Sequence, residues 1–535
     1  MTTFQTTTAQ GAGGPAGAGP VTVGSGPLSA ADVVAVARRG ARVELAAAGV
    51  AAVRDGRAVI DAHVDDPKPH YGISTGFGAL ATRFIPADMR AQLQASLVRS
   101  HAAGSGPAVE VEVVRALMLL RLATLATGRT GAREETVRAY VSLLNSGLTP
   151  VVHEYGSLGC SGDLAPLAHC ALAMMGEGIV TDAAGHQRPA ADALAEAGLQ
   201  PVRLREKEGL ALINGTDGML GMLVLALADL QMLLTVADVT AAMSVEGLLG
   251  TDAAFAADLM QLRPHPGQAA SAANLRALLA GSAIMASHRG PDCTRVQDAY
   301  SLRCAPQVAG AARDTADYAA AVAGRELAAA IDNPVITPDG RVESNGNFHG
   351  APLGYVLDFL AIAVADLASM SERRTDRFLD ASRNSGLTPF LANDPGVDSG
   401  HMIAQYTQAA IVSELKRLAA PASVDSIPSS AMQEDHVSMG WSAARKLRRA
   451  LDGLTRVLAI ELLTAARGIE MRAPLAPGAA TGAVIGGLRA GQPGAPGPLG
   501  PGQDRFLAPE IEAAVRYVAS GHAVRAAESV TGPLH

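Results

Sequence analysis

Aromatic residues are scarce, at 3% of 535 positions, so alanine, leucine and valine must fill the core. Charged residues reach only 18% against 48% hydrophobic ones, a balance that excludes a disordered chain. A concentrated basic face is also missing, and with a formal net charge of -8 no nucleic-acid partner is expected. The four cysteines, Cys160, Cys170, Cys293 and Cys304, are too few and too scattered for a disulfide framework, which fits a reducing compartment. The first residues have neither the basic nor the apolar segment of a secretory signal. Residues 1–27 read as a disordered Gly/Ala/Thr-rich tail, and the expected location is the cytoplasm. The most membrane-like run, Met219 to Ala228, meets Asp229 well short of the ~20 residues a span requires, so no membrane association is expected.

What is present is helical periodicity. Order is expected from Leu28, with Ser29 as an N-cap, and helices follow at 89–101 and 109–127. Longer helices are expected at 218–248, 268–282, 311–330, 352–378, 401–418 and 435–468, and a last one at 507–529. The fold class is therefore mainly α, a long-helix bundle preceded by an N-terminal mixed domain. The expected division is a domain at 28–217, the helix bundle at 218–488, and a Gly/Pro loop with a C-terminal helix at 489–535. Two glycine-dense loops interrupt the pattern, at 70–82 and 156–163. Such loops, placed by rigid helices, are where catalytic groups concentrate.

The second loop opens the stretch GSLGCSGDLAPLAH, residues 156–169. A serine between small residues suggests a hydrolase nucleophile, but the order is G-C-S-G-D and not G-x-S-x-G, and no strand is expected before it. Another chemistry suits the tripeptide. Attack of the Gly162 amide nitrogen on the Cys160 carbonyl, with loss of two waters, one taking the Ser161 hydroxyl, would leave a five-membered ring with an electrophilic exocyclic methylidene. Glycine is needed where the chain folds back on itself, and residue 160 contributes only its carbonyl.

This stretch resembles the cofactor signature of the aromatic amino-acid ammonia-lyases, which build 4-methylideneimidazole-5-one (MIO) from an internal Ala-Ser-Gly; here Cys160 replaces the alanine. Further similar motifs are YGISTGFG at 71–78, INGTDG at 213–218, RPHPGQ at 263–268, VQDAYSLRC at 296–304, AIDNPV at 330–335, ESNGNFHG at 343–350 and QEDHVSMG at 433–440. The resemblance implies the aspartase/ammonia-lyase type of bundle and a homotetramer with shared active sites. Ser100-His101 and Glu434 resemble the histidine-specific branch, which implies removal of ammonia from L-histidine to give trans-urocanate. The alternatives are a tyrosine or phenylalanine lyase, an aminomutase, or an inactive helical scaffold.

By the same resemblance, Tyr71 is the first candidate for the base that takes the β-proton, with its pKa lowered by an electropositive site; otherwise it is a lid residue. Glu434 is the second acid/base candidate, or else a carboxylate satisfied by backbone donors. Arg303 suits the substrate carboxylate, because a guanidinium offers two parallel donors. Tyr300 is placed with the catalytic residues, while His101, Asn214, Gln297 and Phe348 are expected to line the substrate site. Whether the methylidene meets the amine or the imidazole carbon stays open. His265, His349 and His436 lack metal-ligand spacing, so no metal is expected.

Overall fold

The computed structural model describes residues 19–64, 66, 68–290, 293 and 296–535. Residues 1–18 of the expected tail lie outside these. The rest of that tail is ordered earlier than expected: Val21–Val23 forms a strand parallel to Val43–Leu45, because both valines bury their side chains. The chain is mainly helical, and the strands among the described residues are short. Two compact units divide it. Of the described residues, one comprises those within 19–225, 323–353 and 425–441, the other those within 226–322, 354–424 and 442–535. These differ from the contiguous domains expected, because the returning stretches 323–353 and 425–441 pack with the N-terminal residues.

In the first unit, Ser29 and Asp32 form a reciprocal capping box that starts the helix Ala30–Arg39, and Gly40 ends it in the left-handed conformation at φ 66. The helix Val111–Ala126 is apolar on nearly every face, so it is buried as a core element. Among its three charged residues, Glu112, Arg115 and Arg121, only Arg121 is fully buried. The helices Arg90–His101 and Leu164–Met174 pack together and carry His101 at the end of one and the 156–163 loop at the start of the other. A short strand, His153–Tyr155, does precede that loop, contrary to expectation. It pairs with Ser105–Ala108 because the chain must satisfy its backbone there, and it ends six residues before Ser161, so no sharp strand-to-helix elbow presents the serine.

The second unit holds most of the long helices Ala305–Leu327, Ala351–Leu379 and Gly440–Glu470 and all of Met402–Leu418; the first starts six residues before its expected bound and Gly440–Glu470 five after, while the other two lie within a residue of theirs. The expected final helix is split into Ala508–Ala519 and His522–Thr531, since Gly521 takes φ 72 between them. Buried ion pairs staple this unit: Arg374 to Glu461 at 2.5 Å and Arg313 to Asp238 at 2.6 Å.

Asp217–Gly247 and Ala351–Leu379 are long and apolar enough to cross a membrane by length and composition. The helix through Met219–Ala228 thus runs past Asp229, which pairs with Arg448 at 3.1 Å and does not end it. Burial, 72% and 61% of the two apolar windows, accounts for their composition as core helices.

Candidate active site

The loop at 156–163 is held by its backbone. Gly350 N donates to Gly159 O at 2.9 Å, Ser438 Oγ donates to the same carbonyl at 2.7 Å, and Met439 N donates to Leu158 O at 2.8 Å. Ser161 and Gly162 both lie in the left-handed region, at φ 57 and φ 75, which folds the chain back. A Cβ on Gly162 would sit 2.0 Å from Gly215 O, so no other residue fits there. Gly215 is equally constrained: its Cβ would sit 1.8 Å from Arg121 Nη2.

Arg121 explains the loop opposite. Its guanidinium pairs with Asp217 at 2.6 Å and donates to the carbonyls of Ala211 and Asn214 at 3.1 Å and of Ile331 at 3.3 Å. That fixes Asn214, whose Nδ2 donates to Ser161 O at 3.0 Å. Asn214 Oδ1 is buried and finds no hydrogen-bond partner among the described residues. Asp163 meets the start of the helix Asp217–Gly247, accepting from Gly218 N and Met219 N at 2.9 Å, and also accepts from Ser157 Oγ at 2.8 Å. Its burial pushes the carboxyl up to about 7.

Glu434 is the charge at the centre. Ser161 Oγ donates to its Oε1 at 3.1 Å, and Ser429 Oγ donates to its Oε2 at 2.9 Å. The turn that delivers it is unusual, with Ser430, Ala431 and Met432 successively at φ 50, 51 and 68. Non-glycine residues in that region are strained and cluster at functional sites. Cys160 is 8% exposed, and its Sγ donates to His436 O at 3.4 Å. Burial, then the charge of Glu434, pushes its thiol up.

Tyr71 and His101 both lie in the field of Glu434. The Tyr71 hydroxyl accepts from Gly78 N at 3.2 Å. Its pKa is raised and not lowered as expected, because burial and the neighbouring carboxylate outweigh that amide. His101 Nδ1 lies 2.9 Å from Leu97 O and therefore carries the proton, which leaves Nε2 as an acceptor. Burial lowers its pKa, so the ring stays neutral at pH 7. Phe348 is half-buried next to His349, whose ring stacks on His436 at 5.6 Å.

Thus Tyr71, His101, Cys160, Ser161, Gly162, Asn214, Phe348 and Glu434 belong to one unit. Gln297, Tyr300 and Arg303 belong to the other. There Gln297 and Tyr300 are exposed, the Arg303 guanidinium lies 4.6 Å from the Tyr300 ring centroid, and Arg303 Nε is buried without a partner among the described residues. Sequence reasoning missed Arg121, Ser429 and Ser438. A lone arginine inside LMLLRLATLA is a signal that could have found the first.

Over 514 residues, 96% of this chain and 99% of the relative, the sequence is 65% identical to a histidine ammonia-lyase from Streptomyces avermitilis. The fold superposes on a solved histidine ammonia-lyase from Trypanosoma cruzi with a TM-score of 0.86 and 38% identity, covering 96% of this chain and 95% of that one. A tyrosine aminomutase from Streptomyces globisporus gives a TM-score of 0.89 at 36% identity, covering 96% and 100%. With residues 28–490 also matching the family as a whole, the chain belongs to the aromatic amino acid lyases.

Proposed function

We propose that this carbon–nitrogen lyase removes ammonia from L-histidine and releases trans-urocanate, the first step of histidine degradation. The observation that carries the reading is the Glu434 carboxylate, anchored by Ser429 and set beside Ser161, with a neutral His101 in its field. These polar groups suit an imidazole. A phenyl ring offers His101 Nε2 no donor and gives the Glu434 carboxylate nothing to orient. The relatives named histidine ammonia-lyase support the same choice.

Cys160, Ser161 and Gly162 fit a backbone-derived MIO: the left-handed turn, the glycine that alone clears Gly215, and the Asn214 amide on the Ser161 carbonyl all suit ring closure. The ring supplies an electrophilic methylidene that makes the amine a workable leaving group. Tyr71 takes the β-proton as phenolate, with the Gly78 amide stabilising its oxygen. Glu434 orients the substrate imidazole, and His101 Nε2 accepts its N–H. Arg303 pairs with the substrate carboxylate, Tyr300 and Gln297 bind beside it, and Phe348 packs against the substrate ring.

The active form in this reading is a cytoplasmic homotetramer with shared sites. Tyr355, Phe359 and Ile362 form one exposed face of their helix, and Ile403 and Tyr406 another, which supports association with further copies. Exposed Gln297 and Tyr300 support their donation to a neighbouring copy.

Ammonia and urocanate should appear one to one from L-histidine, whereas a β-amino acid without free ammonia would mark an aminomutase. His101→Leu should lower kcat/KM for histidine by about 10- to 100-fold. An unchanged substrate profile in that variant would show that another residue reads the imidazole.

A further inference from the structure

We infer that Glu434 serves the formation of the ring as well as turnover, an inference that rests on the proposed cyclisation of Cys160, Ser161 and Gly162. The unprocessed Ser161 is gripped at both ends. Its hydroxyl donates to Glu434 Oε1 at 3.1 Å, and its carbonyl accepts from Asn214 Nδ2 at 3.0 Å. Ser429 Oγ, donating to Oε2 at 2.9 Å, keeps the carboxylate from turning away. The backbone between these contacts is fixed as well, with Ser161 at φ 57 and Asp163 N donating to Gly215 O at 2.7 Å. A serine side chain otherwise samples three rotamers. Here one is selected, and it sets the direction of the Cβ–Oγ bond relative to Cα–H.

That direction matters for the second of two dehydrations. In the first, Gly162 N bonds to the Cys160 carbonyl carbon. The carbonyl oxygen leaves as water with the amide protons of Gly162 and Ser161, and a carbon–nitrogen double bond remains. In the second, the Ser161 Cα–H and Cβ–Oγ bonds break. The Cα–H electron pair becomes the new double bond, and the hydroxyl leaves as water with the Cα proton. No oxidant or reductant is needed. Glu434 acts on the departing oxygen itself, holding it where it can leave, and the same carboxylate then faces the substrate once that oxygen is gone.

Intact-mass measurements over time after cell-free synthesis test this. The parent chain should become two waters lighter. Glu434→Ala should fold, as judged by circular dichroism, but lose the second water about 10- to 100-fold more slowly, the effect of one charge-assisted hydrogen bond. Glu434→Gln keeps an acceptor oxygen, so its mass change should recover while histidine turnover stays impaired. Ser429→Ala should slow the second loss to a smaller extent, and it carries the test should Glu434→Ala fail to fold. Loss of both waters at the parent rate in Glu434→Ala and Ser429→Ala would overturn the inference. A parent chain that never becomes lighter would instead overturn the cyclisation on which it rests.

Discussion

Both compact units bury arginine–carboxylate pairs, and one pair from each does different work. In the second unit Arg374 meets Glu461 at 2.5 Å, joined by Ser244 Oγ at 2.7 Å, and so ties the helix Ala351–Leu379 to Gly440–Glu470. In the first, Arg121 meets Asp217 at 2.6 Å but spends its remaining donors on the carbonyls of Ala211, Asn214 and Ile331. One pair joins helices. The other shapes the loop that presents Asn214 to Ser161, at the same guanidinium that forbids a side chain on Gly215. The same chemistry thus yields stability in one region and site geometry in the other.

The largest expected effect breaks the chemistry without the fold. Ser161→Ala should lose at least about 10³-fold in kcat, since it removes the hydroxyl whose loss would create the proposed electrophile. Its thermal unfolding should match the parent, and near-normal activity would contradict the ring. Arg374→Ala should do the reverse, lowering the unfolding free energy by roughly 3–5 kcal/mol in urea titration, because Glu461 is left buried and uncompensated. Its folded fraction should still be two waters lighter than the encoded chain.

Two glycines sharpen the contrast, and pH probes the charge. Gly215→Ala should block ring formation by intact mass, given the 1.8 Å approach to Arg121. Gly486→Ala, on an exposed helix face with nothing within 4 Å, should raise stability by about 0.5–1 kcal/mol and leave activity unchanged. Tyr71 has a pKa raised by burial and by Glu434, so its phenolate fraction grows with pH. A pH profile should therefore show kcat/KM climbing through the alkaline range up to about tenfold per unit. In Glu434→Gln the carboxylate charge is gone, and the climb should move to lower pH.

Much of this was legible in the residues. Helix spacing located the long helices, and GCSGD marked the loop that the structure builds around Ser161. What stayed hidden is long-range and partly backbone-made. The Ser161–Glu434 contact spans 273 positions, and Trp441 Nε1 donates to Glu154 O across 287, neither of which a local pattern encodes. The direction of the Tyr71 shift was misread for a related reason. A tyrosine in a glycine loop says nothing of how far the fold will bury it or which charge will face it; here burial raises the pKa most, and Glu434 adds to it.

The most direct test is near-ultraviolet absorbance of purified protein mixed separately with L-histidine, L-tyrosine and L-phenylalanine, with no cofactor added. Growth of the urocanate band with histidine alone is the expected result, and would mark the proposed electrophile as one the chain makes for itself. A cinnamate or coumarate band instead would contradict the assignment of His101 and Glu434 as readers of imidazole, and silence with all three would contradict the lyase reading itself.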